Sequence, residues 1–424
     1  MVPHTDLYVN GSFDVAADVP VPRFDPGPAA LEHLRREGYV VIKACANASE
    51  VAHARELLWA FLEGTGRGVR RELPETWIRN EPNPYGIFWQ FGVGQSQLAW
   101  FVRSRPRLLE MFSQFWGTAD LISSFEGFSM FPPESVEASW RIGEAWFHTD
   151  QNAASRPGLQ TIQSFTSLWD QDQSTGGFVV VPRSWQRHQK VTERIYRARP
   201  RTPPATQFLM VPANDPILKR PHKPHLVPCK AGDSIIWDSR TVHCSTPSLR
   251  NRRRDRDELR SVAPEASQPT SFLAEGSRTS ASDDQPRPAR AVVYASMVPR
   301  SRASDEVLLA RQQALRSGVT CTHWPFDFSC LEPPERCSDP LRVALPIHKN
   351  MVGYTDRQVH GWLHTNQSRR GGAGADGGDA LRLFETPQSV DLAAAEPASS
   401  ACPRSRLRLR DVTPSQRAAR TRSI

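Results

Sequence analysis

Between Leu121 and Arg183 the chain alternates short β-rich runs with turn residues, and this rhythm restricts the fold more than any other feature. The runs are Leu121 to Met130, Glu144 to Thr149, Leu159 to Trp169 and Phe178 to Pro182. Their turns carry Pro132-Pro133, Arg156-Pro157-Gly158 and Ser174-Thr175-Gly176-Gly177. Short strands at near-regular spacing pack as a sandwich, barrel or jelly roll. Two later stretches extend the set. Gly232-Asp233 turns into the run Ser234 to Asp238, with His243 close to its far end, and Arg290 to Met297 is a β-branched strand. No internal repeat accompanies them.

Helical spacing flanks the β-rich region. Pro28, Leu31, Leu34 and Gly38 mark a short amphipathic helix, followed by the strand Tyr39-Val40-Val41-Ile42. Asn47 with Glu50 resembles a helix-opening box, and Val51, Ala54, Leu57, Leu58, Phe61 and Leu62 recur at helical spacing until Gly64. A further helix runs from Leu98 to Trp116, with a break at Pro106. Residues 65–95 read as a long loop in which Trp89-Gln90-Phe91 either lines a pocket or anchors to the core. Glu193 to Pro228 reads as a helical or extended insert, and Ser304 caps a helix that ends at Gly318.

Composition sets the margins. With 39% apolar residues in 424 the chain can bury a sizeable core. Residues 250–288 have hardly an apolar anchor and read as a disordered insertion, and 369–424 as a disordered basic tail. The expected organisation is an extended lead-in, 1–27, and one domain, 28–368. The net charge of +8 concentrates in Arg250-Asn251-Arg252-Arg253-Arg254 and in the tail. It therefore belongs to the margins, and nucleic acid is not expected as a partner. Seven cysteines without CxxC spacing argue against a disulfide framework or zinc knuckle. No stretch has the length of a membrane span, so the expectation is a cytoplasmic protein with a small-molecule substrate and no membrane partner.

The chemistry-bearing stretch is Trp146-Phe147-His148-Thr149-Asp150-Gln151. A histidine and a carboxylate two residues apart on an extended segment point to the same side. Both can ligate one metal ion, and His243, at the end of another strand, is the candidate third ligand. Two neutral imidazoles and one carboxylate on one face of a metal are the ligand set of non-haem Fe(II) oxygenases. The alternative is a structural hydrogen-bonded pair. Among 12 histidines a lone His-x-Asp is a weak signal, and its weight comes from convergence with the second strand.

Four elements in order, Phe147 to Gln151, Gly176-Gly177-Phe178-Val179-Val180-Val181-Pro182-Arg183-Ser184, Ala231-Gly232-Asp233 through Trp237 to His243, and Arg290-Ala291-Val292-Val293-Tyr294, resemble the phytanoyl-CoA dioxygenase family. The resemblance covers residues 30–330. It implies a mainly β double-stranded β-helix (jelly roll, cupin-like) with flanking helices. It also implies Fe(II) held by His148, Asp150 and His243, with 2-oxoglutarate and O2 as co-substrates. An arginine after the distal histidine then binds the far carboxylate of 2-oxoglutarate, which suits a planar guanidinium fork. The family spacing of about ten residues points to Arg252, Arg253 or Arg254. The family context at the start of a strand points to Arg290, which we prefer, with 250–288 inserted between.

By the same resemblance Phe165 and Thr166 align beside the co-substrate, and Gln160 and Gln163 face inward with them if the register allows. Trp237 reads as core behind the site, and Arg240 as a salt-bridge partner of Asp238 or a substrate contact. His188, His222 and His225 fall outside the pattern. Related halogenating enzymes carry a small residue where Asp150 stands, so the carboxylate favours hydroxylation, with succinate and CO2 as co-products. Other readings are a catalytically inactive jelly-roll protein that binds a metal or small molecule, and a polyanion-binding protein working through the arginine-rich margins.

Overall fold

Tyr39-Val40-Val41-Ile42 is buried at every residue, as an apolar β-branched run inside a sheet must be. In the computed structural model the described residues are 15–17, 19–80, 85–134, 136, 146–199, 207–219, 223–249, 286–327, 339–340 and 346–353, all within one compact unit, Met1–Ser368. Most of the expected insertion 250–288, the expected tail 369–424 and the first part of the lead-in lie outside these residues. The chain begins with β1 (Arg23–Phe24), α1 (Pro28–Glu37), β2 (Tyr39–Ile42) and α2 (Ala48–Gly64). Next come β3 (Ile87–Phe88), α3 (Gln97–Arg103), α4 (Pro106–Trp116), β4 (Leu121–Ser123) and β5 (Phe128–Phe131). The central part supplies β6 (His148–Thr149), β7 (Ile162–Ser167), β8 (Gly177–Val180), α5 (His188–Ala198), β9 (Leu209–Met210) and β10 (His225–Val227). It closes with β11 (Ser234–Asp238), β12 (His243–Thr246), β13 (Arg290–Pro299), α6 (Asp305–Ser317) and α7 (Pro346–Val352).

Local chemistry explains the ends of these elements. The Asn47 side chain accepts from the Glu50 amide while Glu50 reaches back to the Asn47 amide, a full capping box at the start of α2. Pro106, which has no N–H to give, starts α4 and separates it from α3, so the expected break divides two helices. The expected insert after Glu193 is organised differently. Its helix, α5, begins earlier at His188, burying Val191, Thr192 and Ile195, and β9 and β10 join a sheet. The expected strand Leu121 to Met130 is two strands, because Ser124-Phe125-Glu126-Gly127 leaves the sheet between β4 and β5.

Two sheets result. The larger runs β1-β2-β11-β7-β13-β5-β3, with β4 also on β13, and the smaller runs β10-β8-β12-β6-β9. All pairings except the parallel β1–β2 are antiparallel. The strand period of two then divides the larger sheet cleanly. Val40, Ile42, Ile236, Ala291, Val293, Ala295 and Met297 pack on helices α1 to α4. Tyr39, Val41, Phe165, Ile235, Trp237 and Val292 face Phe178, Val180 and Val227 of the smaller sheet. This is a jelly roll of the double-stranded β-helix type, with α1 to α4 on the outer face of the larger sheet and α5 on that of the smaller, and its two sheets share no strand and do not close into a barrel. No helix of the described residues is long and apolar enough to cross a membrane.

Candidate metal centre

His148 opens β6 and His243 opens β12, and the two residues are direct cross-strand partners in the smaller sheet. Their Cβ atoms leave the same face, so the antiparallel register alone brings the rings to 4.4 Å between centroids. Asp150 follows just beyond the end of β6. Its Oδ1 lies 3.2 Å from His148 Nε2 and its Oδ2 3.2 Å from His243 Nε2. One ligand atom from each of the three residues lies within 4.8 Å of the others.

The histidine tautomers are set by the backbone. His148 Nδ1 lies 3.1 Å from the Trp146 carbonyl and His243 Nδ1 2.9 Å from the Thr241 carbonyl. A carbonyl only accepts, so each Nδ1 donates, and in the neutral ring each Nε2 presents a lone pair to Asp150. Burial pushes the His148 imidazole below its ordinary value, with the neighbouring His243 adding to it. Burial raises the Asp150 carboxyl, but His243 and His148 beside it, in their protonated form, prevail and hold it well below the usual carboxylate range. Two lone pairs and an ionised carboxylate facing one point lack a proton to share. They match the donor set of a divalent cation, with both Nδ1 atoms fixed by carbonyls as metal-bound histidines usually are.

The surrounding side chains orient the carboxylate. Gln163 Nε2 donates to Asp150 Oδ2 at 2.6 Å and Trp237 Nε1 donates to the same oxygen at 3.0 Å. Gln163 and Trp237 point inward because they share the inner parity of β7 and β11, where they are register partners. The expectation of Trp237 as core behind the site thus understates it, since its indole N–H touches the site. Phe165 has the same parity as Gln163 and lines the cavity. Thr166 has the opposite parity and hydrogen-bonds Ser234 on the outer face, so its expected place beside a co-substrate is corrected. Gln160 precedes β7 and donates to the Pro157 carbonyl instead of facing inward.

Arg290 is the first residue of β13, on the inner face with Val292 and Tyr294. It is 2% exposed, its NH2 group donates to Ser245 Oγ at 2.7 Å, and it lies 3.9 Å over the Phe131 ring. Its Nε is buried with no hydrogen-bond partner, and no carboxylate among the described residues pairs with it. Burial pushes this guanidinium down to about 10. A buried cation with an unused donor at a cavity wall is suited to the carboxylate of a ligand. Arg252, Arg253 and Arg254 lie outside the described residues. Arg240 is bidentate on Asp238, at 2.9 and 2.6 Å. His188 Nε2 donates to the Gln151 carbonyl, His225 pairs with the Tyr39 hydroxyl, and His222 lies outside the described residues.

A cavity of about 380 Å³ joins the triad to Arg290. Several of its residues were not foreseen, Glu126 and His323 among them. Glu126, in the link between β4 and β5, faces the cavity, and His323 Nε2 hydrogen-bonds the Asp150 carbonyl at 3.1 Å. For Glu126 a signal existed, a lone carboxylate inside the apolar stretch Leu121 to Met130. His323 sits in Thr322-His323-Trp324-Pro325, which carries no period and no motif.

The family model described as phytanoyl-CoA dioxygenase (PhyH) matches residues 34–254, more than half of the chain. The chain belongs to the phytanoyl-CoA dioxygenase family. The match spans all three triad residues and ends before β13, so Arg290 lies outside it. Among curated proteins the family member is similar to Ava biosynthesis cluster protein O of Aspergillus versicolor, 22% identical over 229 residues, covering 50% of this chain and 70% of the relative. Among solved structures, EvdO2 from Micromonospora carbonacea var. aurantiaca, complexed with 2-oxoglutarate, is 16% identical over 63% of this chain and 89% of its own, with a TM-score of 0.37. EctD from S. alaskensis is 14% identical over 69% and 84%, at 0.41. SnoK, a non-heme alpha ketoglutarate dependent carbocyclase from nogalamycin biosynthesis, is 16% identical over 68% and 86%, at 0.37.

Proposed function

We propose that this family member is an Fe(II)- and 2-oxoglutarate-dependent dioxygenase that hydroxylates a small organic molecule. The observation that carries the reading is the pairing of two elements in one cavity, the His148–Asp150–His243 donor set and the buried, carboxylate-free guanidinium of Arg290. His148, Asp150 and His243 are suited to hold iron on one face. Arg290, from the opposite sheet, is placed to receive the distal carboxylate of 2-oxoglutarate, and Phe165 packs beside it. When bound, iron and 2-oxoglutarate supply the oxidation, in which the co-substrate is decarboxylated to succinate and CO2 and an oxygen atom from O2 enters a substrate C–H bond.

The remaining work belongs to the chain. Gln163 and Trp237 keep the Asp150 carboxylate in one orientation and ionised, and the Trp146 and Thr241 carbonyls keep both imidazoles in the tautomer that binds metal. The Trp146 ring stacks on His148 at 4.6 Å and 9°, and Phe178 covers His243 at 5.1 Å, so apolar rings exclude water from the ligand side. Purified protein with Fe(II) and ascorbate is expected to release succinate from 2-oxoglutarate slowly without any substrate, and His148→Ala and Asp150→Ala to fall to background. Undiminished succinate release in both variants would overturn the assignment.

A further inference from the structure

Away from the triad the cavity has one chemically distinctive feature, a carboxyl set among ring faces. Tyr85, Phe88, Trp89, Trp146 and Phe208 form its walls, and Tyr85 stacks on Trp146 at 4.3 Å. Glu126 faces this space. Its Oε2 accepts from Ser124 Oγ at 2.7 Å, while Oε1 has no protein partner among the described residues. Arg103 lies behind it but directs NH1 to the Gly94 carbonyl at 2.7 Å and NH2 to the Glu126 carbonyl, forming no ion pair with the carboxyl. Burial accordingly pushes the Glu126 carboxyl up to about 7, against the Ser124 hydrogen bond and the Arg103 charge.

Charge balance sharpens the point. With iron and 2-oxoglutarate in place, the positive charges of the metal and Arg290 equal the negative charges of Asp150 and the 2-oxoglutarate dianion. Glu126 is left over as a carboxyl on an apolar wall, where an unpaired charge is costly and where a facing cation would favour its ionised form. Aromatic ring faces also attract cations through their quadrupoles. Among the described lining residues Arg290 is the one fixed cation, and it is assigned to the co-substrate.

We propose that the substrate is an organic cation, an ammonium-type nitrogen on a ring-bearing apolar skeleton, with Glu126 as its anionic partner. This rests on reading the cavity as an oxygenase active site. An anionic substrate, such as one carrying phosphates or a free carboxylate, would meet Glu126 as a like charge. A cation meets it as a partner and satisfies Oε1.

The test uses the Mn(II)-loaded full chain with 2-oxoglutarate and calorimetric titration of two probes with one ring system and opposite charge, tryptamine and indole-3-acetate. Tryptamine is expected to bind at least about tenfold tighter, a difference of about 1.4 kcal/mol. Glu126→Gln is expected to erase that preference. A thermal midpoint checks that the variant folds, and Glu126→Leu, matched to the apolar wall, reads the same difference if the amide does not fold. Equal binding of the two probes, no tryptamine binding at millimolar concentration, or a preference that survives both substitutions would overturn the proposal. A separate 2-oxoglutarate isotherm on the wild type identifies the other failure, for absence of that binding removes the oxygenase reading and this proposal with it.

Discussion

Gln163 donates to the same Asp150 oxygen that faces His243, so in the proposed function it acts on the metal through Asp150, a ligand it does not replace. Gln163→Leu keeps the inward volume and removes the donor. We expect Fe(II) affinity to fall by about 10–100-fold, measured by metal competition, while the thermal midpoint of the metal-free protein changes little. An unchanged affinity would mean that Trp237 alone suffices to orient the carboxylate. At this scale the sequence was most legible where chemistry and local period coincide. His148 and Asp150 share a strand face by spacing alone, and Arg290 opens a β-branched run. Thr166 was misplaced because neighbouring strand residues face opposite ways and the register of β7 was not readable. Glu126 and His323 reach the cavity through long-range folding of links that have no period of their own.

Gly232 shows how an element is aimed at the site. Its φ of +87° lies in the left-handed region, and a Cβ there would stand 2.0 Å from the Ala46 carbonyl oxygen, so both conformation and space require glycine. The turn also presents Asp233, whose carboxylate accepts from Arg23 and from the amides of Ala44 and Lys230 and ties β1, β2 and β11 together. Gly232→Ala is expected to destabilise by about 1–3 kcal/mol. Asn47→Ala, which removes only the α2 cap, is expected to cost about 1 kcal/mol. Chemical denaturation of the two variants checks the order, and a smaller loss at Gly232 would contradict the strain argument. Capping residues and Pro106 were readable because they act within one turn of chain. The strand β9, of two residues, was not, since so short a strand is defined by its partners and not by its own pattern, whereas β6 falls within the expected run Glu144 to Thr149 and pairs over His148–Thr149.

For the molecule as a whole, stability is expected to depend on acid through two buried histidines. Burial lowers His225 and His348 from the ordinary value near 6.5 to about 4. Above 6.5 both are neutral whether folded or unfolded. Between 6.5 and 4 the unfolded chain takes up protons that the folded chain refuses, so stability is lost as pH falls through that window. The thermal midpoint should drop from pH 6.5 to pH 4, and His225→Gln, which keeps a polar partner for Tyr39, should flatten the drop. An equally steep profile in that variant would contradict the assignment to His225. The two-sheet architecture was legible at this scale, because near-regular short strands have few ways to pack. The division into two sheets that do not close was not, since it depends on which strands pair across long stretches of chain.

In the proposed function one cavity couples a His148–Asp150–His243 metal site to a guanidinium at Arg290 that takes the co-substrate carboxylate. Anaerobic titration of 2-oxoglutarate into the Fe(II)-loaded protein reads both halves of that coupling. Binding should require the metal, disappear in Asp150→Ala, and weaken by about 30-fold or more in Arg290→Leu while iron remains bound. Binding of 2-oxoglutarate that is unaffected by metal removal or by loss of Arg290 would contradict it.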